Sequence, residues 1–393
     1  MSTDVFILGG KRTAMGQYVG ALKDISAIDL GAAAARGALE ATGLDPKEID
    51  HTIIGNALQT SGDAIYGARH VALKAGVPFD RPALTVNRLC GSGIQSIVSG
   101  AQMIKLGEAR TALVGGMESM SQAPHVIRGA RSGFALGQGK LEDSLMVALL
   151  DTYCNTPMAG TAENLARKFE ISREDQDKYA LRSQQEAKRA KDAGILAEEI
   201  VPVEVTSRKG SFSFAEDDHL RPETTLEGLA KLKPAFAKDG FVTAGNASGI
   251  VDGAAALVIA GEDYVKETGA KALGRIVSWA YAGVEPEIMG IGPVPASLQA
   301  LEKAGLQLSD MDLVEVNEAF AAQYLAVELE LGLDRSKTNV NGGAIALGHP
   351  LGASGTRLVL TLLHELRRRG GRYGLATACI GGGQGIAIIV ERV

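Results

Sequence analysis

A stretch near the start of the chain returns near its end. "ALEATGLDPKEIDHTIIGNAL" (38–58) lies over "ALEKAGLQLSDMDLVEVNEAF" (300–320) at a spacing of 262, without a gap. The same spacing pairs "LCGSG" (89–93) with "LGASG" (351–355), and "ALVGGMES" (112–119) with "GLATACIG" (374–381). Similar βα units can resemble each other by chance, but one spacing held by three segments favours duplication. Such a chain must build one unit twice and bury the copies on each other. Each copy reads strand, helix, strand, helix, strand, which predicts α/β layers. The halves fall at residues 1–120, joined later by 250–262, and at 263–393.

Residues 121–249 have another texture and read as an inserted loop domain. Pro124, several glycines, Arg128 and Arg131 predict loops over 121–150. A charged helix follows, starting at Ser172 with Asp175 three residues on, a capping-box variant. Lys188, Arg189 and Lys191 sit at its end and Gly194 stops it. "TAGNASGIVDGAAALVIA" then feeds an apolar strand.

Composition narrows the function. With 393 residues, 46% apolar, the chain can bury a large core. A net charge of −6 gives no sign of a nucleic-acid partner or a polybasic membrane anchor. No apolar run reaches the roughly 18 residues of a membrane span. "DVFILGG" reads as a first strand, not as a signal-peptide core. Three cysteines, Cys90, Cys154 and Cys379, suit a reducing compartment better than a disulfide framework. Neither they nor the six histidines show a metal-site spacing.

Four places carry chemistry. Cys90, in "RLCGSGIQS", stands at a strand-to-helix junction, where a helix N-terminus favours a thiolate and lowers a thiol pKa. A small cysteine filling a tight turn is the plainer alternative. His349 lies in the glycine-rich loop "NVNGGAIALGHPLGASG", ahead of a helix closed by Arg367, Arg368, Arg369 and Gly370. That loop is not a phosphate-cradling Walker loop, because no Gly-Lys-Ser/Thr follows. Cys379 ends a small-residue strand, and the glycines after it can aim N–H groups at a developing oxyanion. Asn317, in "VEVNEAF", either holds a water or carbonyl or caps a helix. By the repeat, Cys90 pairs with Gly352 and Cys379 with Met117, so each cysteine belongs to one copy only. The residues by themselves point to acyl transfer through cysteine.

In this order, "VNRLCGSGIQS", "GGMESMSQAPH", "TAGNASG", "VNEAFAAQ", "GGAIALGHPLGASG" and "CIGGGQG" resemble the thiolase family over essentially the whole chain. "KLEDSLMVALLD", "PMAGTAENLA" and "ELRRRGGRYG" are similar to the branch that cleaves 3-oxoacyl-CoA in fatty-acid β-oxidation. The resemblance implies an α/β thiolase fold: two duplicated βαβαβββ-type halves in a layered α/β core, with an inserted loop domain. It implies Cys90 as the acyl-carrying nucleophile and His349 as its activator. His349 and a water on Asn317 would form one oxyanion hole, and the N–H groups of Cys90 and Gly381 a second. Cys379 would be the acid/base at C2. Arg221, Thr224, Ser248, Met158, Ala244 and Phe320 would contact coenzyme A, which is a substrate; no permanent cofactor and no metal is implied. The plainer reading of Arg221 is a solvated charge before Pro222. The products would be acetyl-CoA and a shortened acyl-CoA. A homodimer or homotetramer is implied, cytoplasmic in a bacterium or in the mitochondrial matrix of a eukaryote.

Short-chain biosynthetic members read His-Met-Gly before "TAEN", whereas this chain has Pro157-Met158-Ala159-Gly160. That departure disfavours the closest rival, an acetoacetyl-CoA thiolase. A ketoacyl synthase would need a second histidine where Asn317 stands. No strand leads into the glycine fingerprint of a dinucleotide-binding dehydrogenase. A non-catalytic acyl-CoA binder would have no use for both thiols.

Overall fold

The computed structural model describes residues 4–207 and 210–393. Nine strands carry the architecture: β1 (Val5–Thr13), β2 (His51–Gly55), β3 (Ala83–Val86), β4 (Thr111–Ser119), β5 (Val251–Gly261), β6 (Gly274–Gly283), β7 (Leu313–Val316), β8 (Tyr373–Ile380) and β9 (Gln384–Arg392). They run side by side in the order β7-β8-β9-β6-β1-β5-β4-β2-β3. Pairing is parallel at both ends, where β7 meets β8 and β2 meets β3 and β4. It is antiparallel through the middle. The seam between β1 and β6 is narrow, with Phe6 opposite Arg275 and Ile7 opposite Gly274.

The principal helices are α1 (Ala27–Thr42), α2 (Ser92–Lys105), α3 (Met158–Lys168), α4 (Arg173–Asp192), α5 (Pro293–Ala304), α6 (Ala321–Leu331) and α7 (Leu351–Arg369). Their ends follow the chemistry of the sequence. Ser26 caps α1 by accepting from the Asp29 amide, and Gly43 ends it in the left-handed region. Ser172 caps α4 in the same way through Asp175, and Gly370 closes α7.

The apolar strands alternate between two cores, because successive side chains point to opposite faces. Val114 of β4 and Ile386 and Ile388 of β9 face one shared core. That core also takes Ile94, Ile97 and Val98 of α2 and Leu358, Val359 and Leu362 of α7. So α2 and α7 form a central layer between the two halves. Leu113 and Met117 of β4 turn the other way onto α1, through Ile28, Ala34 and Ala35. Ala387 and Ile389 of β9 turn onto α5 and α6. A helix in such a layer meets apolar surface all round, and α7 is buried at every position from Leu351 to Leu363.

The segment expected to be loops over 121–150 has more structure than its glycines suggest. His125–Ile127 pairs with Leu141–Asp143, and a short helix spans Ser144–Ala148. Its Asp143 cap and the cross-strand ladder satisfy backbone groups that a loop would leave to water.

Candidate active site

Cys90 sits in a turn, Leu89–Gly91, between β3 and α2. Two side chains hold that turn, and their part was not visible in the sequence. Ser92 Oγ donates to the Leu89 carbonyl at 2.7 Å and accepts the Arg88 amide at 2.8 Å. Asn87 Oδ1 accepts the Leu89 amide at 2.9 Å. They keep Leu89 at φ 47, a left-handed conformation that a leucine adopts only under constraint. Gly91 is needed for space: a Cβ there would lie 2.6 Å from Ile380 Cδ1. The Cys90 turn thus closes directly on β8, at the residue after Cys379.

The residue is half-buried, and it packs against the buried Met120, Leu145 and Leu351. Burial pushes its thiol up to about 11, and the Glu118 carboxylate adds to the rise. The N–H groups of Gly381 and of Cys90 itself converge on the sulfur and pull the other way. This corrects the expectation from the helix end. The favourable field of α2 is present, but losing water around a thiolate outweighs it.

Cys379 is fully buried at the end of β8, packed with Met289 and Ala319. Burial, and then the neighbouring Cys90, hold its thiol far above the ordinary range. The repeat partners of the two cysteines also meet. A Cβ on Gly352 would fall 2.5 Å from the Met117 carbonyl, so the equivalent contact between the halves is made without thiols.

His349 is buried immediately before α7, and its amide donates to the Gly249 carbonyl at 2.9 Å. Burial, and then the positive Arg357, pull the imidazole down to about 3, so it is neutral at ordinary pH. Its Nε2 lies 3.3 Å from Asn317 Nδ2, and its Nδ1 lies 2.6 Å from Ser354 Oγ. Asn317 is not a helix cap, because α6 begins only at Ala321 with Phe320 as its cap. Its amide donates to the Thr377 carbonyl at 2.9 Å, and its buried Oδ1 has no protein partner.

Two buried carboxylates brace the site. Glu118 accepts the amides of Ala57, Leu58 and Gly352 and the Asn56 side chain, tying β4 to the start of α7. Glu318 accepts from Tyr179, Ser183, Asn339 and the Ile345 amide, tying α4 to the short helix Ala344–Leu347 before His349. Adjacency to Glu-Ser and Asn-Glu motifs was the only sequence signal for either.

The remaining expected residues separate into two groups. Arg221, Thr224 and Ala244 line one cavity of about 460 Å³, with Gln184 and His219. The exposed Arg221 guanidinium donates to Gln17 Oε1 at 3.2 Å and to the Asp218 carbonyl at 3.4 Å. Met158 and Phe320 pack instead against Cys379 and Ala319, and the Ser248 amide donates to the Ala319 carbonyl at 3.0 Å. Pro157 is exposed at the start of α3, so Met158 is the residue that faces the cysteines there. Among the described residues no group of three or more His, Cys, Asp or Glu is placed to hold a metal. No helix among them is long and apolar enough to cross a membrane.

Comparisons with known proteins agree with one another. Residues 5–263 match the thiolase N-terminal domain and residues 270–392 the thiolase C-terminal domain. The chain is 60% identical over 388 residues to the human mitochondrial 3-ketoacyl-CoA thiolase, covering 98% of each chain. It is 52% identical over 391 residues to an acetyl-CoA acetyltransferase of Pseudomonas aeruginosa, covering 99% of each. The crystal structure of the human mitochondrial enzyme in complex with CoA superimposes with a TM-score of 0.97 at 59% identity. That match covers all of this chain (100%) and 98% of the other.

Proposed function

The chain belongs to the thiolase family, and from that premise we propose how its residues divide the work and which substrates it prefers. It is an acyltransferase with coenzyme A as substrate. The observation that carries the proposal is a neutral buried imidazole and two converging backbone N–H groups placed around paired cysteines.

The Cys90 proton must leave as the sulfur attacks, and His349, neutral in its buried site, has a ring nitrogen free to take it. In the degradative direction Cys90 attacks C3 of a 3-oxoacyl-CoA and gives its proton to His349. The charge on the C3 oxygen is met by the Cys90 and Gly381 amides. The C2–C3 bond then breaks. Its electrons go to C2, and the thioester oxygen is held by His349 and a water on Asn317. Cys379 protonates C2, and acetyl-CoA leaves. The Cys379 thiolate takes the proton of incoming CoA, whose sulfur displaces Cys90 from the acyl group, and the departing Cys90 sulfur takes its proton back from His349. Arg221, Thr224, Ala244 and Ser248 hold the CoA body, and Met158 and Phe320 its reactive end. The orphaned Asn317 Oδ1 supports a bound water at that point.

The preferred substrates are 3-oxoacyl-CoAs longer than four carbons. Cys90 packs against Met120, Leu145 and Leu351, and each buried methylene is worth about 0.8 kcal/mol in full transfer. The test is kcat/KM for chains of four to twelve carbons at fixed CoA. Eight carbons should exceed four by at least about tenfold, well below the full transfer value because ordering the tail costs entropy. The likeness to the Pseudomonas acetyltransferase favours acetoacetyl-CoA as the second reading. A preference for four carbons would establish it.

We assign residues 1–120 with 250–262 and residues 263–393 to the duplicated halves, and 121–249 to the inserted loop domain. Copies of the chain pair through β3, which ends the sheet with an open edge and exposes Leu84 at 41%. Two such dimers make the tetramer, and sedimentation distinguishes the states. Three free cysteines suit the bacterial cytoplasm or the mitochondrial matrix.

A further inference from the structure

We propose that Ser354 fixes the tautomer of His349, so that Cys90, His349, Ser354 and the Pro350 carbonyl form one proton line. The proposal rests on His349 being the base toward Cys90.

A hydroxyl has one hydrogen to give. Ser354 Oγ lies 3.1 Å from the Pro350 carbonyl, which can only accept. With its hydrogen committed there, Oγ has lone pairs left for His349 Nδ1, 2.6 Å away. The proton of the neutral ring is then on Nδ1, and Nε2 is bare. The other side of the ring agrees, since the Asn317 Nδ2–H group faces Nε2 at 3.3 Å and needs an acceptor.

The duplication supplies an internal control. Residue 354 corresponds to Ser92 in the first half, 262 positions earlier. Ser92 Oγ donates to a carbonyl three residues back, Leu89, and accepts an N–H from the residue before it, Arg88. Ser354 donates to a carbonyl four residues back, Pro350, and faces the ring of the residue before it, His349. In both copies the hydroxyl at a helix start passes one hydrogen to a carbonyl and takes an N–H with its lone pair. In the second copy that N–H belongs to an imidazole rather than the backbone.

The consequence is a matter of timing. At rest Nε2 accepts and cannot donate. When Cys90 attacks, its S–H bond breaks, the proton joins Nε2, the S–C3 bond forms and the carbonyl π pair moves to oxygen. Nε2–H exists only from that moment, so His349 can donate at the next step, when C2–C3 cleavage sends charge to the thioester oxygen. The imidazolium is held through Nδ1 by a hydroxyl and a carbonyl dipole, without a carboxylate. Ser354 is therefore a positioning residue acting through His349.

The experiment is nitrogen NMR on the full chain with ¹⁵N-labelled histidine, the His349 signals being those lost in His349→Gln. Resting protein near pH 7.5 should show His349 as the Nδ1–H tautomer. In parallel, Ser354→Ala should lower kcat ten- to a hundredfold, with KM for CoA within twofold. Ser354→Thr, which keeps the hydroxyl, should recover most of the rate. A resting Nε2–H tautomer overturns the proposal, and so does Ser354→Ala turning over within threefold of wild type. If Ser354→Ala does not fold, the tautomer of the wild-type protein decides alone. Failure of the underlying base assignment shows separately, as a His349→Ala variant with near-wild-type rate.

Discussion

Gly93 and Gly355 meet backbone to backbone where α2 crosses α7. A Cβ on Gly93 would lie 2.4 Å from the Thr356 amide nitrogen, and one on Gly355 would lie 2.5 Å from that of Ile94. The two glycines are 262 residues apart, so each is the other's counterpart in the repeat. The crossing is the near-axis about which the halves are arranged, and Cys90 and His349 sit just outside the N-termini of its two helices.

Gly355→Ala should therefore cost about 3 kcal/mol of stability, the upper end for overpacking, because the obstacle is backbone and cannot rotate away. The shift in denaturant midpoint measures it. An unchanged midpoint would mean that the helices can part without loss.

Incubation with acetyl-CoA should leave an acetyl group on Cys90, located by peptide mass spectrometry. Cys379→Ala should still acetylate Cys90 while carbon–carbon cleavage stops, because only proton exchange at C2 is removed. Equal loss of acetylation and cleavage would contradict the division of labour between the thiols.

The raised Cys90 thiol predicts a pH dependence whose sign is fixed. The ordinary value is 9.0 and the folded value about 11, so the thiolate fraction at neutral pH is lower than in a free cysteine. Alkylation of Cys90 by iodoacetamide should climb about tenfold per pH unit and show no plateau below about pH 10. Cys379, pushed higher still by burial, should react later. Saturation of Cys90 by pH 8 would show that the helix end wins after all.

Arg221→Ala should raise KM for CoA about ten- to a hundredfold, or roughly 1.5–3 kcal/mol for a charge-assisted contact. The kcat should change little, since the cavity it lines is separate from the cysteine cluster. An unaltered KM would return it to a solvated charge tied to Gln17.

Much of the layered plan was readable because the repeat carries register as well as resemblance. Shifting β2 by 262 gives residues 313–317, and β7 spans Leu313–Val316. Shifting β4 gives 373–381, and β8 spans Tyr373–Ile380. The four principal chemical residues were visible as types beside glycines at element ends. Their states were not. Whether the Cys90 thiol is raised or lowered depends on burial against Leu145 and Leu351, which come from distant parts of the chain. The roles of Glu118 and Glu318 depend on donors dozens to hundreds of residues away, which periodicity does not reveal. Pro157 stands where short-chain members have a histidine, yet it lies outside while Met158 turns in, a one-residue distinction set by where α3 begins.

The place of β1 has a cost during synthesis. It lies mid-sheet, with Val5 opposite Gly261 and Phe6 opposite Arg275, so its neighbours emerge some 250 residues after it. Until then its edges, and the one edge of β4 that will meet β5, are without partners. Loop closure over such distances must precede any reward from the central sheet, which slows folding and leaves apolar strands open to aggregation. The nascent first half is a natural client for chaperones until β5 and β6 leave the ribosome.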